Sequence, residues 1–164
     1  MSATIRNATL EDLRAIVAIY NTAIPGRMAT ADLEPVSVDS RRTWFNEHSS
    51  NARPLWVLEE GDEIKGWLSF QSFYGRPAYR ATAELSVYIA TDAQRRGYAR
   101  KLVAEAIRRA PEFGLKTMLG FIFGHNQPKS CGWYMKAEKN GFVATTQAPV
   151  CSGYIPNSGT KVTS

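Results

Sequence analysis

The segment from Thr82 to Pro111 places a strand pattern directly before a helix pattern. Polar and apolar residues alternate from Thr82 to Ala90, which is typical of a strand. Further along, apolar residues recur at i, i+3, i+4, i+7, i+8 and i+11, the spacing of one helix face; they are Ala99, Leu102, Val103, Ala106, Ile107 and Ala110. Pro111 ends this helix because proline clashes with the preceding turn. A strand–turn–helix unit of this kind is typical of an α/β fold.

The remaining segments complete a mixed α/β sheet. The spacing predicts helices over 10–21 and 37–48, strands over 55–58 and 64–73 joined by a tight turn, and a buried strand over 116–123. For the short apolar run 116–123, periodicity alone also fits a helix. Strands that first form a hairpin and then alternate with helices indicate a mixed sheet. A length of 164 residues and 44% hydrophobic residues predict one domain over 1–164.

Composition excludes several functional classes. The net charge of +5 favours anionic partners, but the arginines are scattered in small groups, so we expect no nucleic-acid partner. The longest apolar run, Met118 to Phe123, is far shorter than the roughly 20 residues of a membrane helix. Two cysteines are too few for a disulfide scaffold or a zinc site. We therefore expect a cytoplasmic protein with no membrane partner and no metal.

The turn before the third predicted helix is a candidate anion site. A helix N-terminus has unpaired N–H groups and partial positive charge, and the small residues Gly97 and Ala99 leave its backbone accessible. Arg95, Arg96 and Arg100 add full charges. The spacing Gln-x-x-Gly-x-Ala, from Gln94 to Ala99, resembles the acyl-CoA pyrophosphate loop of the Gcn5-related N-acetyltransferases (GNAT). By itself the pattern also fits a solvated helix start.

Several further segments, in the right order, resemble the phosphinothricin acetyltransferase-like branch of that superfamily. They are Ile5-Arg6-Asn7-Ala8-Thr9, Ala18-Ile19-Tyr20-Asn21, Trp44-Phe45 with His48, Arg76-Pro77-Ala78-Tyr79, Glu84-Leu85-Ser86-Val87-Tyr88-Ile89 and Gly120-Phe121-Ile122-Phe123-Gly124-His125-Asn126. The resemblance implies a mixed, splayed β-sheet flanked by helices. It also implies direct transfer of an acetyl group from acetyl-CoA to the primary amine of a small molecule.

The resemblance assigns the cofactor-binding residues by position. Backbone groups of Val87, Tyr88 and Ile89 would pair with the pantetheine arm, and one N–H near Val87 would polarise the thioester carbonyl. Asn126 would reach the cofactor from the end of the next strand. The residues that would hold the pyrophosphate are Arg95, Arg96, Gly97, Tyr98, Ala99 and Arg100.

Acetyl transfer needs a neutral amine, so a general base is useful. Strand alternation puts Glu84, Ser86 and Tyr88 on one face of the sheet, and Glu84 is the first candidate for the base. A glutamate that only pairs with an arginine is the structural alternative. His125 is a rival base because histidine titrates near neutral pH.

The substrate residues are expected in two loops. Arg76 and Tyr79 precede the catalytic strand, where an arginine could clamp a carboxylate, and Arg27 and Met28 follow the first helix. An ordinary surface loop is the alternative for both. The resemblance implies an acceptor such as phosphinothricin or methionine sulfoximine. A protein or peptide N-acetyltransferase and a non-catalytic acyl-CoA-binding protein remain open.

After Pro128 the match to the family pattern ends. Tyr134, the candidate acid for the departing thiolate, is displaced by one position from the family spacing. Residues 143–164 are expected to hold no counterpart of the family's closing strands, which would leave a sheet edge exposed and the homodimer typical of related enzymes in doubt. A local frame change and a tail that packs differently are both open.

Overall fold

The computed structural model describes residues 3–26, 29–30, 32–123, 130–138, 141–146 and 160–161, with side chains up to residue 120. Eight strands lie in these residues: β1 (Thr4–Asn7), β2 (Leu55–Glu60), β3 (Glu63–Ser72), β4 (Thr82–Ile89), β5 (Thr117–Phe123), β6 (Ser130–Glu138), β7 (Gly141–Thr146) and β8 (Thr160–Lys161). The α-helices are α1 (Leu13–Ala23), α2 (Arg42–Asn46) and α3 (Tyr98–Arg109). None of the described helices is long and apolar enough to cross a membrane.

The strands form one sheet whose spatial order follows the chain from β1 to β8. Every neighbouring pair is antiparallel except β4 and β5, which run parallel. A parallel pair needs a crossover connection, and α3 supplies it. The expected mixed α/β sheet is therefore confirmed.

Helices cover both faces of the central strands. On one face α3 contributes Leu102 and Ala106 to a core that includes Trp56, Leu68 and Phe70. On the opposite face a second core contains residues from α1 and from the central strands; they are Ile16, Ile19, Leu55, Val57 and Trp67. Residues Gly66 to Phe70 of β3 are all buried, as expected for a strand covered on both sides.

Several predicted boundaries shift in the structure. The first predicted helix begins as a 3-10 turn over Leu10–Asp12 and becomes α-helical from Leu13 to Ala23. The second is shorter than predicted, with a 3-10 turn at Asp39–Arg41 followed by α2. The expectation that residues 143–164 hold no counterpart of the family's closing strands stays a prediction; in the described residues, β7 and β8 continue the sheet by antiparallel pairing. The edge of β5 is accordingly covered by β6.

An ion-pair network fastens β1 to the start of α1. Arg6 donates to both carboxylate oxygens of Asp12, at 2.7 and 3.0 Å, and its Nε donates to Glu59 at 3.0 Å. The backbone N–H of Thr9 donates to Asp12 at 2.7 Å, as a capping box requires. Burial raises the pKa of Asp12, but the hydrogen bonds from Arg6 and Thr9 outweigh it and hold the pKa below its usual range. The ionised form of Asp12 is therefore the one that stabilises the fold.

We expect Asp12→Asn to lower the free energy of unfolding at neutral pH by about 1–2 kcal/mol, because Arg6 loses a buried anionic partner. The depressed pKa means that this contribution is present above the pKa of the unfolded carboxyl and is lost as the pH falls through the folded value. Urea denaturation at neutral pH measures the change. Asp39→Asn is the control, because Asp39 pairs with Arg42 at the exposed surface, where ion pairs contribute about 0–1 kcal/mol. Equal losses in the two variants would contradict the expectation.

Candidate active site

Glu84 lies in the middle of the sheet, on the face covered by α1. It is opposite Gln71 of β3 and opposite Leu119 of β5. Burial raises the pKa of the half-buried Glu84 carboxyl. Among the residues with described side chains, Glu84 forms no ion pair and no hydrogen bond, so the alternative of a glutamate paired with an arginine finds no support. An unpaired carboxylate with a raised pKa is a good general base.

One edge of β4 is open beyond Glu84. The parallel pairing of β4 with β5 ends at Leu85 and Gly120. On its other edge β4 stays paired with β3 as far as Ile89 and Gly66. The two parallel strands therefore diverge, and residues 86–89 of β4 have backbone groups without a ladder partner on the β5 side. This is the splay that the sequence resemblance implied, and an extended ligand with amide groups fits such an edge.

The turn between β4 and α3 has an unusual backbone. Arg95 and Gly97 both have positive φ, 63° and 80° respectively. A Cβ built on Gly97 would meet nothing within 4 Å, so its surroundings are open space. The N–H groups of Arg95, Arg96 and Gly97 have no backbone acceptor in the described chain. Free N–H groups before a helix N-terminus form a concavity that suits an anion.

The three arginines in and after this turn differ in their ion-pair partners. Arg95 and Arg100 are exposed and form no ion pair with the described side chains. Arg96 instead donates to both carboxylate oxygens of Glu60, at 2.8 and 2.6 Å. The charge of Arg96 is thus shared with Glu60, whereas we expected it to face the anion site. The sequence did not single out Glu60, which looks like part of a solvated hairpin turn.

The loop after α1 contacts the face of β4 that carries Glu84 and Tyr88. The hydroxyl of Tyr88 donates to the carbonyl of Ala29 at 2.7 Å, and burial raises the pKa of Tyr88 to about 12, so the hydroxyl keeps its proton. Tyr20 donates to Asp32 at 2.5 Å, and Arg41 donates to the same carboxylate at 2.9 Å. These contacts hold the loop beside the strand that carries Glu84.

A pocket of about 320 Å³ lies on the far side of Gln71; its lining residues are Glu47, His48, Phe70, Gln71, Ser72 and Gly75. Gln71 lies directly opposite Glu84 on the neighbouring strand, and the Cβ atoms of such a pair are about 5 Å apart. The Nδ1 of His48 lies 2.9 Å from the carbonyl of Trp44 and must donate to it. Burial lowers the pKa of His48, which keeps the ring neutral near pH 7.

The loop between β3 and β4 is exposed and aromatic. Arg76 precedes a short 3-10 turn over Pro77–Tyr79. Tyr79 packs against Phe73 and Tyr74, with ring centroids 5.6 and 6.3 Å away. Tyr74 is 77% exposed, so this group of rings lies on the surface. The loop leads into β4 two residues before Glu84, which places Arg76 and Tyr79 at the end of the sheet nearest the candidate base.

The remaining predicted site residues are described only in part or not at all. The backbone of Tyr134 lies opposite Leu119, so Glu84, Leu119 and Tyr134 form one row across three strands. Its side chain is outside the described part of the structure. The other predicted residues outside the description are Arg27, Met28, His125 and Asn126.

Comparison with known proteins identifies the family. The sequence profile described as the acetyltransferase (GNAT) family matches residues 14–142, well over half of the chain. The chain belongs to the acetyltransferase (GNAT) family. The resemblance predicted from the sequence is thereby confirmed, and the protein is an enzyme of this acetyltransferase family.

Relatives of this acetyltransferase cover most of its length. YwnH of Bacillus subtilis is 46% identical over 140 residues, which span 85% of this chain and 83% of YwnH. The L-methionine sulfoximine/L-methionine sulfone acetyltransferase of Pseudomonas aeruginosa is 33% identical over 127 residues, 77% of this chain and 74% of the relative. The structure of a phosphinothricin acetyltransferase from Sinorhizobium meliloti in complex with acetyl-CoA superposes with a TM-score of 0.70 at 30% identity, covering 75% of this acetyltransferase and 67% of that chain.

Proposed function

We propose that this enzyme transfers the acetyl group of acetyl-CoA to the primary amine of a small amino-acid-like molecule, of the phosphinothricin or methionine sulfoximine type. The observation that carries the proposal is the half-buried Glu84 carboxylate, which has no ion-pair or hydrogen-bond partner among the described side chains and lies next to the open edge of β4. The substrates in the names of the Pseudomonas and Sinorhizobium relatives support the choice of acceptor.

The order of groups along β4 suits this reaction. Glu84 lies three residues before Val87, roughly 10 Å along an extended strand. An amine entering from the pocket side reaches Glu84, which takes its proton. The open edge at Val87, Tyr88 and Ile89 receives the pantetheine arm, and an N–H there polarises the thioester carbonyl. A new C–N bond replaces the C–S bond, and the thiolate that leaves takes up a proton, for which Tyr134 is the proposed donor. The second proton that the nitrogen loses as the amide forms replaces the one donated.

The turn before α3 fits the pyrophosphate of the co-substrate. Acetyl-CoA supplies the activated acetyl group as a thioester when it is bound. The free N–H groups of the turn and the open space at Gly97 would receive the anion, with Tyr98 and Ala99 in the first turn of the helix. Arg95 and Arg100 would add charge from their exposed positions, and Asn126 is proposed to contact the cofactor.

The acceptor is proposed to bind between two loops. Arg76 would pair with a substrate carboxylate, and Tyr79 and Met28 would line the same space. The loop after α1 is held in place by Tyr88 and Tyr20, which supports a defined wall on that side. The pocket beside Gln71 would receive the acceptor side chain, because its lining includes the polar side chains of Glu47, His48 and Gln71.

The single-domain organisation over 1–164, the cytoplasmic location and the homodimer stay predictions. We include them in the proposal because the resemblance implied a homodimer, and the composition implied a cytoplasmic location. Nucleic acid remains the partner that we do not expect, since the arginines are scattered along the chain. Sedimentation of the purified chain would measure the oligomeric state directly.

Thiol release from acetyl-CoA tests the proposed reaction. The amine panel contains phosphinothricin, methionine sulfoximine, methionine sulfone and a peptide with a free N-terminus. We expect thiol release with at least one of the amino-acid analogues. The kcat/KM for the peptide should be lower by about tenfold or more, which corresponds to about 1.4 kcal/mol of transition-state stabilisation. A preference for the peptide would favour a protein N-acetyltransferase. Binding of acetyl-CoA without release for any amine would favour a non-catalytic acyl-CoA-binding protein.

A further inference from the structure

We propose that Glu60 is a positioning residue, which holds the cofactor-binding turn before α3 in its binding-competent shape. Glu60 is the last residue of β2 and lies outside the turn itself. The inference rests on the proposed function, because it assumes that this turn binds the pyrophosphate of acetyl-CoA. It assigns a role to a carboxylate that does not touch the reacting atoms.

The Glu60 carboxylate accepts three hydrogen bonds from the turn. Two come from the guanidinium of Arg96, at 2.8 and 2.6 Å, and one comes from the hydroxyl of Tyr98, at 2.7 Å. The guanidinium of Arg96 also lies over the Tyr98 ring, 4.9 Å from its centroid. Arg96 and Tyr98 directly flank Gly97. One carboxylate therefore fixes the residues on both sides of the glycine.

The turn needs an external support. A positive φ is disfavoured for a residue with a Cβ, and such a conformation persists only where the surroundings hold it. Arg95, next to Arg96, has a φ of 63°. The N–H groups of Arg95, Arg96 and Gly97 have no backbone acceptor in the described chain, so the backbone of the turn does not hold itself by these groups. The side-chain contacts to Glu60 supply the support and leave the N–H groups free.

The same hairpin holds the other end of the turn. The N–H of Ala90 donates to the carbonyl of Lys65 in β3 at 2.9 Å. The ammonium of Lys65 is 2.6 Å from the carboxylate of Asp92. Together, Glu60 and Lys65 attach the segment from Ala90 to Tyr98 to the β2–β3 hairpin at both ends. The hydrogen bonds from Tyr98 and Arg96 also lower the pKa of Glu60, so its carboxylate is ionised at neutral pH.

The same contacts would also allow Glu60 an opposite role, and the two roles predict opposite changes in acetyl-CoA binding when the Glu60 charge is removed. If Glu60 competed with the pyrophosphate for Arg96, removing the Glu60 charge would free Arg96 and tighten acetyl-CoA binding. If Glu60 positions the turn, removing the charge loosens the turn and weakens binding. The near-symmetric pair of hydrogen bonds to Arg96, together with the third bond from Tyr98, favours positioning.

Isothermal titration of acetyl-CoA against the purified full chain tests the proposal. We expect Glu60→Gln to raise the Kd about tenfold, because a charge-assisted, preorganising contact is lost. The control is Asp62→Asn, which removes one negative charge from the same hairpin; Asp62 is exposed and forms no ion pair with the described side chains. The control Kd should stay within about twofold, because exposed charges are screened by salt.

A double substitution separates positioning from a general loss of stability. Arg96→Gln alone should weaken binding, but should add little in the Glu60→Gln background, because both changes break one contact. Saturating acetyl-CoA should restore kcat in Glu60→Gln, so that only the KM for acetyl-CoA rises. Tighter binding, or a Kd equal to that of Asp62→Asn, would overturn the proposal. Failure of the wild-type chain to bind acetyl-CoA would overturn the proposed function together with it.

Discussion

Replacing Glu84 with Gln is expected to lower kcat by about two to three orders of magnitude, the usual contribution of a general base. The amide keeps the size and position of the side chain but cannot take the proton that the ammonium must lose before the neutral amine attacks. The Kd for acetyl-CoA should be unchanged, because the proposed cofactor contacts begin at Val87. Steady-state kinetics and titration of acetyl-CoA measure the two quantities separately.

The same variant should be more stable than the wild type at neutral pH. Burial raises the folded pKa of Glu84 above its unfolded value, so the folded state binds the proton more tightly. The free energy of unfolding therefore falls as the pH rises from the unfolded to the folded pKa of Glu84. Above the folded pKa, the buried charged carboxylate destabilises the fold. Glu84→Gln removes that cost, and a higher Tm with lower activity would mark a residue kept for catalysis.

Two controls accompany this prediction. Glu84→Asp keeps a carboxylate and should retain part of the activity, since a shortened side chain can act through a water molecule. Glu11→Gln removes a carboxylate from the exposed turn before α1 and should leave kcat unchanged. A kcat for Glu84→Gln close to that of Glu11→Gln would show that another group, such as His125, acts as the base.

Gly97→Ala is expected to raise the Kd for acetyl-CoA by about tenfold or more. The residue has a φ of 80°, and an alanine in this conformation costs roughly 1 kcal/mol, which the turn would relieve by changing shape. The added methyl group would also occupy the open space at Gly97, which is the proposed site of the anion. Titration with acetyl-CoA measures the loss of binding, and urea denaturation measures the loss of stability.

Gly114→Ala is a matched control for this change. Gly114 ends the 3-10 turn after α3, has a φ of 67°, and has nothing within 4 Å of a built Cβ. The two variants should lose similar stability, about 1 kcal/mol each, because the backbone strain is alike. Only Gly97→Ala should weaken binding. Equal Kd values in the two variants would contradict a pyrophosphate site at Gly97.

The sequence predicts β4 and its surroundings well, because local pattern determines them. Alternation along one strand separates Glu84 and Tyr88 from Leu85 and Val87, and the structure puts Leu85 and Val87 in the α3-side core and Tyr88 in the other. The helix over α3 follows from its apolar spacing, and Gly97 lies at its N-cap with positive φ. The pattern therefore places Glu84 on β4 and Gly97 at the start of α3, as the structure has them; their roles as base and anion site stay predictions.

The contacts of Glu60 and His48 could not be predicted in this way. Glu60 reaches Arg96 across 36 positions of chain, and only the register of the β2–β3 hairpin against β4 brings them together. In sequence, Glu60 is one of several acidic residues around a glycine, which is typical of a solvated turn. The pocket at His48 likewise depends on how α2 packs on β3, which periodicity does not specify.

The tail shows the limit of reasoning from a family pattern. Ser, Thr, Gly and Pro are frequent after residue 143, and this composition favoured irregular structure. Strand formation in β7 depends instead on a partner, since its residues pair one for one with those of β6. Composition describes each segment alone, whereas strand formation also depends on the neighbouring strand that completes its hydrogen bonds.

The strand order has a consequence for how changes in the gene can be tolerated. Since the sheet is assembled in chain order, the proposed base, the open edge and the anion turn all belong to one continuous stretch, from Glu84 to Arg100. The proposed base and the proposed anion site of this enzyme thus lie in one short segment of sequence, which contacts the β2–β3 hairpin that precedes it. Changes of sequence beyond β5 alter the far edge of the sheet, where the proposed proton donor Tyr134 lies, but not the segment from Glu84 to Arg100.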